Sequence, residues 1–156
     1  AEAAVKVVPQ SGGDIGRRMA AAFAHCFAEG ISRVMLVGSD IPALDAAMLT
    51  AAARAQAAHD VVLTPTSDGG YCLLALRRDR FRPEIFEEVP WSSGRVLAAT
   101  LELCGRYDLD VQLLPTLSDI DTVDDLRKYI DHPLPQAIAI NRALRSQTSM
   151  NHSPRR

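Results

Sequence analysis

Residues 34–42 read V-M-L-V-G-S-D-I-P. Four apolar residues, Val34 to Val37, are too few for a buried helix. Their β-branched valines, and the Gly38 that ends the run, fit a strand covered on both faces, as in a parallel sheet. Gly38, Ser39 and Asp40 then stand at the carboxyl end of that strand, where open α/β sheets place their ligands. Pro42 has no N–H and disfavours helical geometry at Ile41, so the chain leaves the strand in an extended turn. A carboxylate held there suits a hard divalent cation that in turn holds phosphate oxygens. The alternative reading makes Asp40 the cap of the next helix, a common role for Asp.

Working outward, Val5 to Val8 reads as a short strand and Gln10 to Asp14 as a turn, with Asp14 placed to cap a helix. Met19, Ala22, Phe23, Cys26 and Phe27 recur at helical spacing and form one apolar stripe, which Gly30 closes. Beyond the central strand, an alanine-rich helix is expected over 45–58 and a second buried strand over 60–63. A loop of turn formers, T-P-T-S-D-G-G at 64–70, leads into a strand over 71–76. A short helix near Pro83 to Phe86, a longer one starting at Ser92 or Ser93, and a strand over 111–114 follow. Thr122 is placed to cap a helix running through Leu126 to Ile130, with Asp124 and Asp125 favourable in its first turn. A short helix over 136–144 and a polar, disordered end over 146–156 complete the reading, with one domain over 1–133 and a helix and tail over 134–156.

Composition sets the outer bounds. The chain has 156 residues, 47% of them hydrophobic, enough for one substantial core. A net charge of −2 argues against a general nucleic-acid binder. No apolar run approaches the roughly 18 residues that span a bilayer, and no signal segment opens the sequence. Cys26, Cys72 and Cys104 are odd in number and set among apolar neighbours, which suits core thiols in a reducing cytoplasm better than disulfides or a zinc site.

Alternating strands and helices imply an α/β/α layer fold with a mainly parallel sheet. Three polar loops follow three strands, at 38–42, 64–70 and 117–122. If those strands run parallel, the loops open on one edge and bring Asp40, Asp68, Asp119 and Asp121 towards one crevice. Clustered carboxylates repel unless a cation sits among them, so a metal site accounts for the pattern; the other reading makes Asp119 and Asp121 turn and capping residues. Asp68 either acts at the site, from a glycine-rich loop that can approach a ligand, or stabilises its own turn. Trp91, the single tryptophan, stacks on a ligand or anchors its loop to the core. Tyr71 reads as a strand residue packing inward, and the four histidines have no ligand spacing.

V-G-S-D-I-P, the Asp68-Gly-Gly-Tyr71 loop and S-D-I-D-T-V-D-D-L at 118–126 together resemble the nucleotide-diphospho-sugar transferase superfamily, the GT-A fold. The nearest likeness is to a bacterial family of glycosyltransferases, some associated with arsenosugar biosynthesis. The G-D-I-G-R-R-M segment at 13–19 and P-W-S-S at 90–93 extend the likeness over most of residues 10–126. The resemblance implies that Asp40 and Asp121 bind Mg²⁺ or Mn²⁺, with Asp119 a third ligand as in related phospholactate-type nucleotidyltransferases. It further implies that Ser39, Gly69, Gly70 and Trp91 help bind the donor, and that Asp68 accepts the proton of the attacking hydroxyl or holds sugar hydroxyls.

The likeness departs at the start. Such proteins usually open with a strand and a basic loop of the type A-K-x-P-x-x-G-x-x-K-T-R-L, and this sequence begins near where the third strand would stand. A truncated chain or a short natural form is therefore expected. The implied activity is transfer of a sugar from a nucleotide-diphosphate donor to a small acceptor. The alternatives are a nucleotidyltransferase of the phospholactate or molybdenum-cofactor type, and an inactive fragment that binds or self-associates. An open sheet edge would also invite pairing with a second copy, so a homodimer is expected.

Overall fold

The structure, a computed structural model, describes residues 7–38 and 44–117. The expected elements over 122–130 and 136–144, the tail, and the Ser39, Asp40, Asp119 and Asp121 assignments lie outside the described residues. Strands β1 (Arg33–Val37), β2 (Val61–Pro65), β3 (Tyr71–Arg77) and β4 (Val111–Leu113) form one sheet in the order β1-β3-β2-β4. Helices α1 (Ile15–Ala28) and α3 (Val96–Arg106) cover one face and α2 (Ala46–Ala55) covers the other. Short 3₁₀ turns at Arg78–Arg80 and Pro83–Phe86 link β3 to α3. Val7 and Val8, expected in a strand, have no regular secondary structure.

The sheet is mixed, which corrects the expectation of a mainly parallel one. β3 runs antiparallel to both β1 and β2, and only β2 and β4 pair in parallel. The reason is the short link between β2 and β3: five residues can make a hairpin, whereas a parallel return needs a crossover of a dozen or more. Because β1 and β2 both oppose β3, β1, β2 and β4 nevertheless point the same way. Their carboxyl ends lie on one edge of the sheet.

Local chemistry sets the helix ends. The Asp14 carboxylate accepts the Arg17 N–H at 2.8 Å and caps α1. At its far end the Ile31 N–H donates to the Cys26 carbonyl and the Gly30 N–H to that of Phe27, with Gly30 at φ +88°, a left-handed conformation that L side chains rarely adopt. Asp45 caps α2, accepting the Met48 N–H at 2.8 Å.

The larger core lies between the sheet and the α1/α3 layer. Phe23 is fully buried there, with its ring centroid 5.9 Å from those of Phe27 and Phe86 and 6.2 Å from that of Phe81. Leu63, Leu74, Leu76 and Ile85 complete its centre. On the other face Val62, Leu73 and Ala75 meet Ala52 of α2. β2 is buried along its whole length, but β1 is only half-buried, because among the described residues it pairs with β3 alone. Gln56, 4% exposed, follows α2 and donates its amide to the carbonyls of Val34 and Leu76, at 3.0 and 2.8 Å. The helix is thus tied to two strands at once.

Cys72 and Cys104 are buried and Cys26 half-buried, in line with their reading as core thiols. Burial pushes the Cys104 thiol up to about 11. Among the described residues no helix is long and apolar enough to cross a membrane.

Candidate functional site at the carboxyl edge of the sheet

Three chain segments leave the sheet on the shared edge. After β1, the Gly38 N–H donates to the Cys72 carbonyl at 2.8 Å, which fixes where the chain departs towards Ser39 and Asp40. After β2 comes the turn that carries Asp68. After β4, Leu117 forms an isolated parallel bridge with Thr66. Its N–H donates to the Pro65 carbonyl at 2.9 Å, and its carbonyl accepts the Ser67 N–H at 3.1 Å. The chain therefore enters the S-D-I-D segment directly beside the Asp68 turn.

The Asp68 turn is held by its own polar groups. Oδ1 of Asp68 accepts the Thr66 hydroxyl at 2.5 Å and the Gly70 N–H at 3.0 Å. The Thr66 N–H donates to the Gly70 carbonyl and the Gly69 N–H to that of Thr66. The Thr66 hydroxyl first, and the Gly70 N–H second, hold the Asp68 carboxyl below the usual carboxylate range. Asp68 is thus an anion at neutral pH and a weak base. Its Oδ2 makes no hydrogen bond among the described residues and is the oxygen left to offer.

The two glycines of the turn differ in what they do. Gly69, at φ +88°, lies where a Cβ would run into the Gly94 carbonyl oxygen. Gly70 lies where a Cβ would press on the Thr66 hydroxyl and Asp68 Oδ1, at 3.2 and 3.3 Å. Both keep the turn compact. Trp91 is half-buried against the α1/α3 core, and its indole occupies the space that a Cβ on Gly16 would need.

Tyr71 opens β3 and packs inward, as its reading expected. A register shift between Thr64 and Pro65 makes room: Thr64 faces Leu73 while Pro65 faces Tyr71, so Cys72 is the extra residue. Burial pushes the Tyr71 hydroxyl up to about 12, with the Thr100 hydroxyl nearby opposing part of the shift. Among the described residues neither hydroxyl makes a hydrogen bond of good geometry, and both are buried. A groove of about 880 Å³ between α1 and β1, lined by Ile15, Met19, Ala22, Leu36 and Val37, ends at Gly38 and Tyr71.

Among the described residues no three His, Cys, Asp or Glu side chains are grouped to hold a metal ion. His59 pairs instead with Asp110 at 2.7 Å at the opposite edge of the sheet, and His25 lies 3.4 Å from Glu29 along α1. Thr66, Gly16 and Gly94 escaped the reading of the sequence. For Thr66 the signal was present, since Thr-x-Asp places a hydroxyl two residues before a turn carboxylate. Gly16 and Gly94 depend on contacts distant in sequence.

The family described as "Uncharacterized protein conserved in bacteria (DUF2064)" matches residues 1–93. The chain belongs to the DUF2064 family. The fold of this DUF2064 chain also matches the crystal structure of a "putative nucleotide-diphospho-sugar transferase" from Desulfovibrio desulfuricans G20, at 34% identity and a TM-score of 0.76. The match covers 88% of this chain and spans 64% of the length of that one. No curated protein matches the chain. The superfamily-level resemblance read from the motifs and the α/β fold thus agree, with a mixed sheet in place of the mainly parallel one.

Proposed function

We propose that the carboxyl edge of β1, β2 and β4 is the site of a metal-dependent transfer of a sugar from a nucleotide-diphosphate donor to a small acceptor. The observation that carries this reading is that β1, β2 and β4 end on one edge, where Gly38 is fixed to Cys72 and Leu117 to Ser67 and Pro65 beside the Asp68 turn. The likeness to a protein named as a nucleotide-diphospho-sugar transferase supports it. Within that class the sequence motifs favour the subgroup associated with arsenosugar biosynthesis.

The donor set is all carboxylate oxygen, which fits a hard cation such as Mg²⁺ or Mn²⁺ better than zinc. Asp40 and Asp121 would hold it, with Asp119 as a third ligand. When bound, the cation neutralises charge growing on the diphosphate leaving group. Ser39 and the backbone of Gly69 and Gly70 lie in the segments that would face the donor. Asp68, already an anion with one oxygen engaged, suits a hydrogen bond from a sugar or acceptor hydroxyl through Oδ2 better than outright proton abstraction.

The test is thermal stability of this chain with Mn²⁺ and each nucleotide diphosphate in turn. Ligand at 100 times its dissociation constant should add about 2.7 kcal/mol. No shift with any nucleotide diphosphate contradicts the reading. Cleavage of a nucleoside triphosphate to pyrophosphate overturns it in favour of a nucleotidyltransferase.

A further inference from the structure

We propose that Trp91 is a positioning residue: packed on Gly16 of α1, it fixes the loop at 90–94, and that loop fixes the backbone carrying Asp68. The proposal rests on the reading of Asp68 as a site residue. It joins three glycines, Gly16, Gly69 and Gly94, and one tryptophan from three separate segments of the chain.

The first joint is between α1 and the loop. Gly16 is buried at the second position of the helix, and a Cβ there would fall on Nε1, Cε2 and Cζ2 of the indole. Helix and ring therefore meet with no side chain between them. The loop beyond is internally braced. The Trp91 N–H donates to the Val89 carbonyl at 2.8 Å. The Ser93 hydroxyl donates to the Pro90 carbonyl at 2.6 Å and accepts the Arg95 N–H at 3.3 Å. Ser92 sits at φ +64°, a conformation that persists in a non-glycine residue only where its surroundings impose it.

The second joint is between that loop and the Asp68 turn. A Cβ on Gly69 would strike the Gly94 carbonyl oxygen, and a Cβ on Gly94 would lie 3.3 Å from the Asp68 carbonyl oxygen. The Leu97 N–H, in the first turn of α3, donates to the Gly69 carbonyl at 2.9 Å. Backbone thus rests on backbone at both glycines, a contact that yields less than one between flexible side chains. A shift of the indole has a short path to the Asp68 carboxylate.

The test compares wild type, Gly16→Ala and Trp91→Phe by carboxyl NMR titration of Asp68 and by hydrogen exchange at the Gly70 amide. Phe27→Leu, a core change on α1 away from the loop, is the control. The depression of the Asp68 carboxyl comes from Thr66 and Gly70, with no charged group among its causes, so its midpoint reports turn geometry. The expected result is an upward shift of the Asp68 midpoint towards the ordinary carboxylate value and a loss of Gly70 protection in Gly16→Ala. Trp91→Phe should show the same changes, smaller, and carries the test alone if Gly16→Ala does not fold. Phe27→Leu should lower the melting temperature and leave both readouts in place. An unchanged Asp68 midpoint and unchanged Gly70 protection in the folded loop variants would overturn the proposal. No substrate is needed, so the result is independent of which transfer reaction the site serves.

Discussion

The Thr66 hydroxyl donates to Asp68 Oδ1 at 2.5 Å, two residues along the same turn. Charge-assisted hydrogen bonds of this kind favour the anion over the acid. The folded value for Asp68 is therefore below its unfolded one. The stabilisation is present above the unfolded value and is lost as pH falls through the folded one. Thr66→Val should raise the Asp68 midpoint and destabilise the protein at pH 7. The gap from wild type should close in strong acid, once Asp68 is protonated in both. Urea unfolding at a series of pH values checks this, and a gap independent of pH would contradict it.

Gln56 supplies a second prediction. Its buried amide satisfies one carbonyl on β1 and one on β3. Gln56→Leu keeps the volume roughly constant but removes both donors. An unsatisfied buried polar group costs about 1–3 kcal/mol, so a loss of about 2 kcal/mol or more is expected in denaturant unfolding. A loss below about 0.5 kcal/mol, the range of an ordinary surface change, would mean that the two bonds contribute little.

The outer edge of β1 supplies a third. Among the described residues β1 has one neighbour, β3, and Val37 at its end is 46% exposed, as are Val8 and Ile15 nearby at 45% and 46%. An apolar edge of this kind favours pairing with a second copy about a two-fold axis. Light scattering should give about twice the chain mass of 16.9 kDa at high concentration. A mass of one chain at every concentration would contradict the dimer.

Much of this architecture is legible from local chemistry. The Asp14 cap, the Gly30 terminus and the Phe23/Phe27 stripe depend on residues within one or two turns of each other, and each stands where its pattern puts it. Strand direction is different. An apolar run such as residues 71–76 reads the same whichever way its neighbours point, so the pattern locates β3 but not its antiparallel direction. The five-residue link before it held that information in its length. The burial of β1 likewise depends on which strands flank it, which no window of sequence contains. The shared edge was legible because β1, β2 and β4 do run in one direction. The contact of Trp91 with Gly16 was not, since it joins residues far apart in the chain with no pattern between them.

The cation proposed at that edge, held by Asp40 with Asp121 and Asp119, is open to direct measurement as Mn²⁺ binding by calorimetry. Wild type, Asp40→Asn and Asp110→Asn should be compared in the same buffer. Asp110 pairs with His59 at the other edge of the sheet, so its loss alters charge without touching the site. Asp40→Asn should weaken Mn²⁺ binding by about tenfold or more, on the order of 1.4 kcal/mol, while Asp110→Asn should bind as wild type does. Equal affinity in all three proteins, or no Mn²⁺ binding by the wild type, would contradict it.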